Sequence, residues 1–493
     1  MKNISLKQYF IGLSRDSVVY GFGNAILKIL ALATAPIFTR VFAPADYGVL
    51  NLITAISAFL SLLLIFGMDA ATSVSYYQYG KEKRLVTSTA FWFLTLWGIF
   101  LVGIVSLFIR QFSVLSFHSP NYRLLFLIAF ITAFFTLLVS FSKLILRLEF
   151  QAKTFAFVSI FQAVLSTGLM ILFVVVFKLD LVGYLAGILI GTFLGFVAAL
   201  IFILKRKNII FGFNFIHLRQ MLAYGTMMVP VGISSYVYDL ADRYFINHYW
   251  NLTELGLYSI AINIASLLTF FSVALGQAWT PYILKLYYDS KKFFDQFVPR
   301  IFLYYLIFFF TLAIFVTVFG QEILKILTTP NYYPSFRAIG PMALAFTFLA
   351  TLQITVLGMT ISRKTKFMAF FAGLTAVFNI ILNFLLIPKY GILGAAWATA
   401  LSYLFLTSTY LFASQKLIFL KLPWQKIYKL VLLSVAAIVL LPLSWHFSFY
   451  QNLILKVIEF LGYLMLLYLL GIIEKSEIFA IREIFSYVKN KKK

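Results

Sequence analysis

Again and again along this chain a stretch of about twenty apolar residues appears, the length at which a helix crosses the hydrocarbon core of a bilayer. Fourteen such windows can be read: 16–39, 48–76, 87–109, 122–146, 154–177, 182–204, 220–247, 256–283, 298–319, 336–361, 367–387, 391–413, 429–445 and 452–473. Lipid leaves no backbone polar group unpaired, so a spanning chain is either a helix bundle or a closed barrel. Barrel strands are about 9–11 residues long and alternate in polarity, unlike these windows. Hydrophobic residues make up 62% of the 493 and charged residues 11%, too little polar surface to cover a soluble fold of this size. The expected fold is an all-α polytopic membrane protein of about 14 transmembrane helices.

The basic residues test that count independently. With the N-terminus in the cytoplasm, alternate loops sort the 40 Lys and Arg into 30 on the cytoplasmic side and 9 on the other, among them Arg110, Arg123, Lys325, Arg337 and Lys456, with Lys28 inside a span. That asymmetry is the positive-inside bias, and it predicts both termini inside. The net charge of +24 is then mostly the cytoplasmic skirt of a membrane protein, and nucleic acid is excluded as a partner. The chain has no cysteine, which removes disulfides and thiol chemistry. Ala31-Leu32-Ala33 resembles a signal-peptidase site, but Lys28 interrupts the apolar run before it. An uncleaved first helix is expected.

The connections are short, so no extramembrane domain is available to hold a nucleotide. No glycine-rich phosphate loop is followed by Lys and Ser or Thr. Four scattered histidines, with no HExxH pair and no glycine-flanked serine nucleophile, give no catalytic constellation. The expectation is a protein that is not an enzyme and needs no cofactor or metal.

One stretch is said twice. ADYGVLNLITAISAFLSLLLIFGMDAAT (45–72) lies without gaps over TELGLYSIAINIASLLTFFSVALGQAWT (253–280), an offset of 208 with five of 28 positions identical. The layout is shared: an acid and a glycine open each helix, and a polar residue, Asp69 or Gln277, stands near its end. A second echo, Lys153-Thr154 with Gly183 against Lys364-Thr365 with Gly394, recurs at offset 211. Spans 1–6 therefore look repeated as spans 7–12, in the same orientation, as two parallel lobes around a cleft. The expected division is 1–210 for the N-lobe, 211–415 for the C-lobe, and 416–493 for spans 13–14 with a basic tail.

A charge at the centre of a span costs roughly 2.5–3.5 kcal/mol and usually faces protein or water. Lys28 stands on a polar face of span 1 with Ser17 and Asn24, the three-to-four spacing of one helical stripe, and reads as a cation facing the cleft. Span 7 carries Ser235, Asp239 and Arg243 at i, i+4 and i+8, with Asp242 alongside. Asp239 and Arg243 can pair along the helix, and a buried carboxylate suits coupling to a cation. Arg40 closes span 1 and reads as an interfacial anchor or an anion-binding group. Asp69 falls near the cytoplasmic end of span 2. Thr136, Ser140, Lys143 and Arg147 form a stripe on span 4 whose basic part is expected at the cytoplasmic interface. Thr375, Asn379 and Asn383 form a neutral stripe on span 11, which fits interhelical bonding as well as ligand binding.

The opening segment YGFGNAILKILALATAPIFTRVFAPADYGVLNLITAIS resembles that of Wzx-type polysaccharide-biosynthesis flippases. The resemblance rests on Tyr20-Gly21, on the helix end Pro36…Thr39-Arg40 and on the turn Pro44…Asp46-Tyr47-Gly48; the span layout extends it over the chain. It implies membership of the multidrug/oligosaccharidyl-lipid/polysaccharide exporter superfamily and a bacterial plasma-membrane location. It also implies transfer of an undecaprenyl-diphosphate-linked oligosaccharide between leaflets by alternating access, for O-antigen, capsule or exopolysaccharide synthesis. Membrane lipids, a polymerase and glycosyltransferases of the same pathway are the other partners it implies. In that scheme Lys28, Arg40 and Arg243, with Asn24, meet the diphosphate, and Asp69, Asp239 and Asp242 are candidates for coupling or salt bridging. Organic-cation antiport and lipid II flipping are the alternatives within the superfamily.

Overall fold

The computed structural model describes residues 33–79, 82–206, 208–226, 229–273, 275–276, 283, 287, 291–362, 364–440 and 449–473. Among them every regular element is helical, and ten helices are long and apolar enough to cross a membrane. Span 1 is helical over 33–41. Span 2 is Pro44–Ile65 followed by Met68–Gln78, broken where Phe66 and Gly67 adopt the left-handed conformation at φ 50° and 70°. Spans 3, 4 and 6 are Lys83–Leu107, Arg123–Leu148 and Asp180–Lys205. Span 5, Ala152–Ile171, ends in a π-helical turn, Leu172–Val176. Span 7 begins as a separate helix, Phe215–Thr226, and continues as Val229–Tyr249.

In the second part of the chain, Leu252–Ala265 opens span 8, and Lys291–Val318 and Phe336–Thr355 form spans 9 and 10. Spans 11 and 12 run together as Thr365–Leu417, interrupted at Gly391, where φ is 56° and ψ is −132°. The two limbs lie side by side. Asn379 Nδ2 donates to Ser402 Oγ at 3.2 Å, and Asn383 Nδ2 donates to Asn379 Oδ1 at 3.0 Å. The neutral stripe on span 11 thus bonds one limb to the other, as buried amides do in lipid. Trp424–Leu440 and Phe449–Leu469 stand where spans 13 and 14 are expected.

Among the described residues, buried apolar side chains gather into two large cores and a small third cluster of Val139, Leu146, Val158 and Ala199. One large core draws on residues between Phe38 and Met221, the other on Leu52 and residues between Ile246 and Ile472. Leu218 and Met221 place the helix Phe215–Thr226 in the first core.

The repeated segments meet each other. A Cβ on Gly48 would stand well inside van der Waals distance of the Leu252 carbonyl oxygen, and one on Gly256 would do the same to Pro44. Gly48 and Gly256 are related by the 208-residue offset, and so are Pro44 and Leu252. Reciprocal contact of this kind is what a two-fold relation produces, and only glycine permits backbones so close. The neighbouring polar residues cap the two helices. Asp46 Oδ2 accepts the Ala43 N–H at 2.9 Å, and Asn251 Oδ1 accepts the Glu254 N–H at 2.8 Å. Asp46 and Glu254 both stand in a first turn, where a negative charge favours the helix dipole.

Beside this crossing lies a lid, the helix Gly320–Leu327 and the turn Pro330–Ser335. Thr39 Oγ1 donates to the Leu327 carbonyl at 3.1 Å, Thr329 Oγ1 to the Thr39 carbonyl at 3.3 Å, and Tyr332 Oη to the Phe42 carbonyl at 2.8 Å. These are neutral bonds, each contributing about 0.5–1.5 kcal/mol net. On its other side the lid holds Glu322, 6% exposed, against Lys456 of span 14, 2% exposed. Lys456 Nζ lies 2.8 and 2.6 Å from the two carboxylate oxygens and 3.3 Å from Gln321 Oε1. Taking away one partner of such a buried pair costs about 3–5 kcal/mol. Lys456, assigned from the loop pattern to the outer surface, is therefore a buried, paired residue.

Candidate substrate cavity

Beneath this sealed end is a cavity of about 690 Å³. Span 4 supplies Thr136, Ser140 and Lys143, which share one face by their spacing of four and three. Span 5 supplies Gln162, Ser166 and Thr167, span 6 Thr192, and span 8 Asn263 and Ser266; Thr34 of span 1 and Thr328 of the lid complete the polar lining. The roof is aromatic. Phe38 meets the edge of Tyr184 with ring centres 5.0 Å apart, and Tyr47 meets Tyr332 at 5.6 Å.

Among the described lining residues Lys143 carries the one formal charge, and no carboxylate stands with it. Its Nζ donates to Gln162 Oε1 at 3.0 Å, and Gln162 Nε2 lies 3.5 Å from Thr192 Oγ1. An ammonium has three donors to satisfy, and a neutral amide balances none of its charge. The site can therefore receive an anion beside Lys143 and hydroxyl-rich groups along spans 4, 5 and 8. Lys143, of the span 4 stripe whose basic part is expected at the cytoplasmic interface, lines this cavity, and span 4 runs on to Leu148. The stripe itself, three polar residues at helical spacing in an apolar segment, was the signal.

The other candidates are dispersed. Lys28 and Asn24 lie outside the described residues, as does the side chain of Asp239. Arg40 is exposed and is not among the residues lining the cavity; Asp46, a potential partner, is engaged in its helix cap. Asp69 is exposed in the first turn of Met68–Gln78. Arg243 is half-buried, its Nε buried without a hydrogen-bond partner. Asp242 is 2% exposed and does have partners: Oδ1 accepts the Arg243 N–H at 2.8 Å, and Oδ2 accepts the Tyr258 hydroxyl of span 8.

A helical bundle crossing the bilayer many times around a polar pocket is the architecture of a multi-pass membrane transporter. The chain belongs to the polysaccharide biosynthesis protein family, whose profile matches residues 13–287, more than half its length. It is 24% identical over 403 residues to a Shigella flexneri protein named as a candidate O-antigen transporter, covering 78% of this chain and 94% of that one. Uncharacterized membrane proteins of Haemophilus influenzae and Methanocaldococcus jannaschii are each 27% identical, over 58% and 57% of this chain and 69% and 56% of their own lengths. The chain thus spans little more than half of the archaeal relative.

Among solved structures, the lipid II flippase MurJ in an inward closed conformation superposes with a TM-score of 0.72 at 17% identity, covering 92% of this chain and 99% of its own. An inward-facing multidrug resistance MATE family transporter of the MOP superfamily gives 0.67 at 12%, with 79% and 93% covered. The chain shares its fold with these two transporters.

Proposed function

We propose that this protein carries a polyprenyl-diphosphate-linked oligosaccharide, of the undecaprenyl class, across the plasma membrane by alternating access between two lobes. The observation that carries the reading is Lys143, the one charged residue among the described residues that line a polar cavity. Its ammonium meets the diphosphate, the hydroxyl and amide groups of spans 4, 5 and 8 meet the sugars, and the polyprenyl tail stays in the bilayer. With the basic end of the bundle in the cytoplasm, the glycine crossing and the lid close the outer side and the cavity faces inward. A positive cavity disfavours an organic cation, which ranks the antiporter reading second. Membership of the polysaccharide biosynthesis family supports the same order.

The test is translocation of a fluorescent undecaprenyl-diphosphate glycan in liposomes containing the purified chain. The expected result is exchange between leaflets well above protein-free vesicles. Expulsion of an organic cation with no movement across a panel of glycan lipids would overturn the reading.

Asp242 is the coupling candidate that the geometry favours, because it is buried and joins span 7 to span 8 through Tyr258. Asp242→Asn is expected to leave a rate that no longer responds to an imposed proton or sodium gradient. It is also expected to cost about 1–3 kcal/mol of stability, the loss typical of an impaired buried hydrogen bond. Rates with and without each gradient, and thermal unfolding in detergent, check both. An unchanged gradient response would remove Asp242 from coupling.

A further inference from the structure

Spans 13 and 14 have no counterpart in the repeat, and the transport reading gives them no task. Span 14 nevertheless carries a charge into the protein. On Phe449–Leu469 the residues Ile454, Val457, Ile458 and Leu461 are exposed apolar groups of a lipid-facing surface, while Lys456 turns inward to Glu322 and Gln321. Span 14 is joined to span 13 by Ser434 and Tyr463, whose hydroxyls lie 2.9 Å apart. Leu324 and Tyr332 of the lid share the second core with Tyr463 and Leu467.

The lid is therefore held on two sides by bonds of unequal strength. Toward span 14 stands a buried ion pair, where withdrawing one partner leaves the other charge buried and unpaired. Toward residues 39–42 stand neutral hydrogen bonds of small net worth. When two bodies part, they part along the weaker side.

We propose that Lys456 and Glu322 are a fixed pin by which span 14 keeps the 320–335 lid on the second core, so that the outer end opens between the lid and residues 39–47. The appended spans thereby position the roof of the cavity, since Thr328 of the same lid lines it. The proposal rests on the alternating-access reading for the opening itself; the attachment of the lid stands on the ion pair alone.

Because the chain lacks cysteine, introduced cysteines can be spin-labelled without removing any native one. One pair spans the seam, Val41→Cys with Ile326→Cys; the other spans the pin, Ile326→Cys with Leu453→Cys. All three positions are exposed. Distances are measured in liposomes with and without an undecaprenyl-diphosphate glycan and an imposed ion gradient. The seam pair is expected to show a second, longer population, and the pin pair a single narrow one throughout. A second population in the pin pair, or one unchanging distance across the seam, would overturn the proposal.

Glu322→Gln is expected to broaden the pin distance, and the exchange Glu322→Lys with Lys456→Glu to narrow it again. A narrow pin distance in Glu322→Gln would also overturn the proposal. Failure of every glycan lipid to move in the same liposomes counts against the transport reading, whereas the pin distance and its response to Glu322→Gln judge the pin directly.

Discussion

Gly256→Ala is expected to part the outer crossing and to slow translocation by about tenfold to a hundredfold. The methyl group would enter the space of the Pro44 backbone, and backbone at a helix crossing cannot rotate aside as a side chain can. Overpacking of this sort costs about 1–3 kcal/mol, and a change of about 1.4 kcal/mol in a barrier or equilibrium is tenfold. Gly48→Ala should behave alike, because its methyl group meets Leu252 in the reciprocal position. The two substitutions act on one crossing and share partners, so their effects should not add. Gly103→Ala and Gly168→Ala are the controls, since nothing stands within 4 Å of a Cβ at either place. The measurement is the initial rate of glycan-lipid exchange in liposomes, together with cysteine accessibility at Thr328 to a reagent added outside. A wild-type rate and a closed Thr328 in Gly256→Ala would show that the crossing is not the outer seal.

Lys143→Met is the second large effect. The substitution keeps the length and apolar stem of the side chain and removes the one described charge in the cavity. A charge-assisted hydrogen bond is worth about 1.5–3 kcal/mol, so affinity for the diphosphate is expected to fall about tenfold to a hundredfold. Lys143→Arg keeps the charge but presents a planar fork in place of a compact ammonium, and should be intermediate. Thermal stability should change little, because the ammonium's neutral partner, Gln162, faces the cavity and water can replace the lost donor. Binding of a fluorescent glycan lipid, titrated against each variant, checks the order. Equal affinity in Lys143→Met and the native chain would move the anion site elsewhere, with Lys28 the next candidate.

Why the chain repeats an acid and a glycine at the start of spans 2 and 8 is now answerable. The glycines are the crossing point of the two segments, and the acids sit in first turns, where they favour the helix dipole. The repeat could be read in one dimension because both requirements are local: a helix start needs caps, and a close crossing needs glycine. The reciprocal fit of Gly48 on Leu252 and of Gly256 on Pro44 could not be read there, because it depends on two segments 208 residues apart lying face to face.

The polar residues divide along the same line. Apolar length alone determines that this chain is a helical membrane protein, since lipid forbids unpaired backbone, and the residues of the opening motif point to its family. Which charge faces the cavity, and which finds a protein partner, depends on how helices rotate against each other, and about half a turn of rotation carries a side chain from one face to the other. Asp242, a carboxylate with no assigned partner when span 7 is read alone, is engaged by Tyr258; Lys456, counted from its position in the chain to the outer side, is buried against Glu322. Lys143 shows the same limit: its helical stripe was legible, but the packing of spans 4, 5 and 8 decides that the stripe lines a cavity. Length, periodicity and caps are properties of a segment; burial and pairing belong to the whole bundle.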